Sequence, residues 1–295
     1  MEVTNNQETT SQQHQEIVHE TTLFAEPIFK IGNFTVTNSL INSWVVVFLL
    51  VIFALMVKSK IRNIPRGIQN YLEIIFDGAL SLADSITGSR ERSMKSLPIV
   101  FPLFLFILLN NWLGMLPGVG SIGLIETHGS ERIFVPIFRG ATADLNTTLA
   151  LAIFAVILTH IFGVMMTSAW SHLNRFISIE SIINIPKKII KDKDYTSLLV
   201  NPINFFVGIV EVVGELAKVA SLSFRLFGNV FAGEVLLGAM AAIFAYILPI
   251  PFMFLELIVG VIQALIFSML TLVFITVMSE SHDSHEESHQ ESHSH

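Results

Sequence analysis

Six acidic or strongly basic side chains lie inside long apolar runs: Glu211, Glu215, Lys218, Arg225 and Glu234 within 202–245, and Glu256 within 252–278. A charge at the centre of a bilayer costs roughly 2.5–3.5 kcal/mol on insertion scales, so each needs a partner or a task. Glu215 and Lys218 are three residues apart, and Glu211, Lys218 and Arg225 follow at intervals of seven. That spacing puts them on one stripe of a helix, where Lys218 reads as a paired charge. Arg225 has no acid three or four residues away, and Glu234, nine residues on, faces the opposite side. A guanidinium cannot shed its proton in a protein. A carboxylate from elsewhere must therefore meet Arg225 at least part of the time, which is the chemistry of a moving ion or a transient pair. Glu256 and Gln263 are also seven apart and share a stripe.

The elements that must position these residues are apolar helices. The chain has 295 residues, 52% hydrophobic and 14% charged, against about 25% charged in ordinary soluble domains. Residues 40–57, 97–116 and 145–169 each read as a membrane span. The run 202–245 is 44 residues long, about 66 Å as a straight helix and roughly twice the hydrocarbon thickness. It must be strongly tilted, broken, or both. A Pro249-Ile250-Pro251 turn then precedes a last run at 252–278. Residues 64–88 alternate apolar and polar positions at helical spacing, with Pro65 suited to a start and Gly88 to a stop. They predict an amphipathic helix on the membrane surface or against partner helices. Residues 119–142 read as a Gly-containing loop. The fold class expected is all-α and polytopic, with about five crossings.

Charge divides the chain into three parts. Residues 1–26 and 279–295 each carry five acids and no Lys or Arg. Taking those ten acids from the net charge of −7 leaves the body, 27–278, at +3. The expected organisation is a polar N-terminal segment, 1–38, a membrane domain, 39–278, and a tail, 279–295. The segments 58–96 and 171–201 hold 12 of the 15 basic residues outside the last two runs. The positive-inside rule puts them in the cytoplasm or its equivalent, with the N-terminus outside and the C-terminus inside. The first twenty residues lack the basic and apolar regions of a signal peptide and the Arg-rich character of a transit peptide.

Several chemistries lack their residues. With no Cys, thiolate nucleophiles and Cys-based metal sites are excluded. GxSxG and paired intramembrane Asp motifs are absent, no HExxH lies in the body 27–278, and no basic stripe suggests nucleic acid. The five His and five acids of the tail make no defined metal site and read as a solvated, disordered segment. His160, in mid-span, reads as a hydrogen-bonded packing residue. A secondary transporter would share the buried charges, but it usually carries an internal repeat, and none is visible here.

The stretch Ser223-Phe-Arg-Leu-Phe-Gly-Asn-Val-Phe-Ala-Gly-Glu234 resembles the signature of the subunit a family of F-type ATP synthases. Ala143-Asp-Leu-Asn146 resembles a second motif of that family, and Glu256-x6-Gln263, with Ala264 and Phe267, its last helix. The resemblance runs in order from about residue 40 to 278. It implies a non-catalytic, ion-translocating stator subunit whose last two helices form a tilted hairpin around a ring of c subunits. It implies as partners the c-ring, the peripheral-stalk b subunits, the other ATP synthase subunits and the lipid bilayer, with no nucleic acid and no cofactor. A bacterial inner membrane is the expected location, and either protons or sodium ions the cargo.

By the same resemblance, Arg225 separates two aqueous half-channels that load and unload ring carboxylates. Asn229, one turn on, and Gln263 lie near the ring contact, and Glu234 and Glu256 line the inlet. Asp144 and Asn146 help form the inlet or cap the third span. Glu211 belongs to the inner half-channel or pairs with Lys218. Gly228 and Gly233 read as packing residues that let helices approach.

Overall fold

The computed structural model describes residues 22–61, 67–116, 118–128, 131–166, 196–244 and 247–280. Pro65, the segment 171–195 and the histidine-rich tail after Glu280 lie outside them.

The chain opens with a hairpin, β1 (Pro27–Ile31) and β2 (Phe34–Thr37), turning at Gly32 with φ +63°. Thr37 caps α1 (Asn38–Lys60), its side chain accepting from the Leu40 amide. The amphipathic helix α2 (Ile68–Thr87) follows and stops at Gly88, whose left-handed φ of +65° lets its amide return to the Asp84 carbonyl. Arg90 Nη1 donates to Asp84 at 2.7 Å across the corner into α3 (Arg90–Met115). The expected loop at 119–142 contains a second antiparallel hairpin, β3 (Gly123–His128) and β4 (Glu131–Pro136). A one-turn 3-10 helix, Ala141–Ala143, leads into α4 (Leu145–Met166). Helices α5 (Thr196–Ile243) and α6 (Pro249–Glu280) complete the described chain.

Five helices, α1 and α3 to α6, are long and apolar enough to cross a membrane. The protein is thus a polytopic, all-α membrane protein with two small hairpins gathered at one end. Helix α5 is a single unbroken helix of 48 residues. At about 72 Å it exceeds twice the hydrocarbon thickness, so of the two ways to accommodate its length, tilt remains and breakage does not. Pro249 opens α6 rather than separating it from a turn, a position where its missing amide costs nothing.

Helices α3, α4, α5 and α6 share a core of Leu103, Ile107, Ala152, Ala155, Leu222, Leu226, Ala264 and Phe267. A second cluster joins Leu80 and Ala83 of α2 to Leu97 and Val100 of α3 and to Leu272 and Ile275 of α6. The inward face of α2 is thus set by Leu80 and Ala83, with Ala79 and Ile86 packed beside them, while Ile75 and Leu82 stay exposed. Helix α1 touches the bundle more sparingly. Its buried Asn42 donates to Asn110 of α3 at 3.2 Å, which pins two apolar helices through one polar contact.

Candidate functional site

Helices α5 and α6 run antiparallel. Gly233 of α5 lies against Glu256 of α6, and the Lys218 ammonium sits 4.9 Å from the ring centroid of Phe274. Between these contacts, Leu222 and Leu226 pack in one cluster with Ala264 and Phe267. The turn carrying Arg225 is thereby level with the turn of α6 that begins at Gln263.

Leu222, Ser223, Leu226 and Phe227 are buried, whereas Arg225, Phe224 and Gly228 are exposed. The core anchors one side of α5 and leaves the arginine on the other. Among the described residues Arg225 has no carboxylate partner, and its contact is a 3.4 Å hydrogen bond from Nη2 to Ser221 one turn back. Asn229 is half-buried beside it. Gln263 is buried, and no described group hydrogen-bonds its Nε2. A full charge and an idle amide donor thus stand at one level of the hairpin, an unusual arrangement where polar groups are costly to leave unpaired.

Towards the hairpin end, a cavity of about 490 Å³ lies between α3, α5, α6 and the segment before α4. Glu234 lines it, as does Arg139, a residue that the sequence did not single out. Arg139 is only 5% exposed and donates to Glu234 through Nε (3.1 and 3.2 Å) and Nη2 (2.8 Å). Its remaining N–H groups reach the Thr22 carbonyl at 2.8 Å, the Thr22 hydroxyl at 3.3 Å and the Phe24 carbonyl at 3.2 Å. The signal in the sequence was slight: one of two arginines in 119–142, five residues before Asp144.

Glu256 is 8% exposed, and no described group hydrogen-bonds its Oε1. Its carboxyl occupies the space where a side chain at Gly233 would begin: a Cβ there would come within 2.6 Å of its atoms. Gly233 is therefore more than a helix-packing position, because it makes room for the carboxyl itself. Near Glu256, Asn111 of α3 donates to the Gly260 carbonyl at 3.2 Å and accepts from Thr142. The adjacent Asn110 and Asn111 in an apolar span are the sequence signal for this polar seam.

Asp144 is 4% exposed and fully engaged. It accepts from the amides of Ala25 and Asn146 and from the hydroxyls of Ser39 and Thr147, at 3.0–3.3 Å. It caps α4 and ties the chain before β1 to the start of α1. Asn146 is exposed.

At the opposite end, Lys218 pairs with Glu215 at 2.7 Å. The i, i+3 spacing puts the ammonium within reach of Glu215, whereas Glu211 is nearly two turns away. His160 of α4 approaches the other Glu215 oxygen at 3.6 Å. Glu211 is half-buried on the same helix. Among the described residues, no group of three or more His, Asp or Glu side chains could hold a metal ion.

The chain is similar to known proteins over most of its length. The family described as ATP synthase A chain matches residues 40–276. ATP synthase subunit a of Syntrophobacter fumaroxidans is 32% identical over 244 residues, covering 82% of this chain and 84% of the relative. That of Gloeobacter violaceus is 30% identical over 249 residues, 84% of this chain and 86% of the relative. The chloroplastic subunit a of Stigeoclonium helveticum is 30% identical over 244 residues, 82% and 85% of the two chains. With its five apolar helices and intramembrane arginine, the chain belongs to the ATP synthase subunit a family.

Proposed function

We propose that this chain is the ion-translocating stator subunit of an ATP synthase membrane motor, and that Arg225 stands between two half-channels that do not meet. The observation that carries the reading is Arg225 itself, exposed on an apolar helix with no carboxylate partner among the described residues. A ring of c subunits, each bearing a carboxylate, supplies the missing partner in turn. A fixed cation favours the ionised form of each passing carboxylate and so promotes release of its ion. It also repels a free cation, which blocks a direct leak. Arginine suits the task because, unlike lysine, it does not surrender its proton when desolvated.

The cavity bearing Glu234, with Glu256 behind it, forms the outer half-channel. Asp144 and Asn146 hold its wall by fixing the start of α4. Glu211, beside the Glu215–Lys218 pair, serves the inner half-channel. Asn229 faces the ring beside Arg225, where an amide can hydrogen-bond a carboxyl in either protonation state, and the buried Gln263 amide stands at the same level. The chain assembles with the c-ring, the peripheral-stalk b subunits and the rest of the synthase. It does so in a bacterial inner membrane, with the N-terminus outside and the C-terminus in the cytoplasm. The cargo we propose is a proton, which a single buried carboxyl can take up and hand on.

The test is ion flux through reconstituted complexes carrying Arg225→Ala, with the assembled ring confirmed. ATP-driven pumping is expected to vanish while passive proton leak rises. Normal pumping would make Arg225 a structural charge and sink the mechanism.

A further inference from the structure

The ion pair between Arg139 and Glu234 assigns different tasks to two carboxyls that otherwise look equivalent. Among the described residues lining the cavity, Arg139 and Glu234 are the two ionisable groups. Every N–H of the guanidinium has an acceptor: Nε and one Nη2 hydrogen on Glu234, the rest on Thr22 and Phe24. A planar fork so fully engaged is fixed in position, and its charge is permanent. Glu234 is held beside it as a counter-ion, 29% exposed, with both oxygens committed. Glu256, one helix away, is more buried and has an oxygen that no described group satisfies. Gly233 faces its carboxyl, and the buried amides further along α6 and on α3, Gln263 and Asn111, are uncharged.

We propose that Arg139 is a positioning residue of the outer half-channel, holding Glu234 as a fixed counter-ion so that Glu256 alone takes up and releases the transported proton. The proposal rests on the reading of this cavity as the outer half-channel. In its favour, a carboxylate locked in a bidentate pair must break that pair to accept a proton, whereas an unpaired buried carboxyl gains hydrogen-bonding capacity by accepting one. The pair also leaves the cavity electrically neutral overall, so an entering proton meets no net repulsion before it reaches Glu256.

Removing one partner should therefore hurt more than removing both. The measurement is ATP-driven proton uptake into liposomes by complete reconstituted complexes, across a range of pH, with assembly checked by co-purification of the ring. Glu234→Gln strands the Arg139 cation in the entry and should slow uptake about tenfold, a coupling within the usual range for buried pairs. Arg139→Gln frees Glu234 to titrate and should add an inflection to the pH profile that wild type lacks. The double variant should recover to within about threefold of wild type. Arg139→Lys puts an amine beside Glu234 without the bidentate fork, and a pH profile nearer wild type than that of Arg139→Gln separates the electrostatic role from a folding defect. Glu256→Gln should stay slow in every background. A double variant as slow as Glu234→Gln would overturn the proposal, because Glu234 would then carry the proton itself. An unchanged pH profile in Arg139→Gln would overturn it too. Wild-type rates in Glu234→Gln, Arg139→Gln and Glu256→Gln alike would instead remove the cavity from the ion path, and with it the half-channel reading.

Discussion

Gly233 and Glu256 share one volume: the carboxyl of the glutamate fills the space that any side chain at the glycine would need. This contact sets the register of α5 on α6 and puts a carboxyl in the interior of the hairpin. Gly233→Ala should therefore displace Glu256 rather than loosen the helices. The carboxyl ends a flexible side chain and can swing aside, so the cost to stability stays below the roughly 1–3 kcal/mol of overpacking a rigid core. We expect the complex to assemble and its proton uptake to fall by about tenfold. Wild-type uptake in Gly233→Ala would show that the carboxyl does not need its present position.

Glu256→Asp and Glu256→Gln should part company. The aspartate keeps an ionisable group one methylene short and should retain part of the flux. The glutamine fits the same space without titrating and should lose about a hundredfold, within the usual contribution of a positioned acid-base group. Equal rates in the two variants, measured by acidification of vesicle interiors, would mean that shape matters there and ionisation does not.

Asp144 accepts four hydrogen bonds and joins the start of α4 to Ser39 and Ala25. Asp144→Ala should cost about 0.5–2 kcal/mol for the lost cap alone, seen as a lower thermal-unfolding midpoint in detergent. Asp144→Asn retains an acceptor and should lose less. If the asparagine variant unfolds like wild type yet conducts poorly, the carboxylate has a part in the ion path beyond capping.

The Glu215–Lys218 pair is partly buried, at 12% and 28% exposure. Truncating a fully buried partner costs about 3–5 kcal/mol, and solvent at Lys218 reduces that. Lys218→Ala or Glu215→Gln should cost about 1–3 kcal/mol each, and the double variant less than the two added together. Additive losses in detergent unfolding would mean that the two charges do not act as a pair.

Much of this protein was legible in its residues. Length and hydropathy fixed the five apolar helices, because a span must satisfy its backbone internally and cover a known thickness. Gly88 marked the end of α2, since a left-handed cap favours glycine. Arg225 stood out because a charge without a local partner is conspicuous in an apolar helix. The i, i+3 spacing of Glu215 and Lys218 announced their pair.

Other features depended on chain segments far apart in sequence. Arg139 and Glu234 are 95 residues apart, and the contacts to Thr22 and Phe24 reach further still. No local period connects them, so only the fold could reveal that one inlet carboxylate is held by a guanidinium and the other is not. The hairpin inside 119–142 and the unbroken course of α5 were hidden for a related reason, since composition limits the length of an element without fixing its path. The sequence by itself determined that a membrane bundle carries an unpaired arginine among carboxylates. The tertiary structure decided which carboxylates are paired, because that depends on the register of helices across the bundle rather than on spacing along one of them.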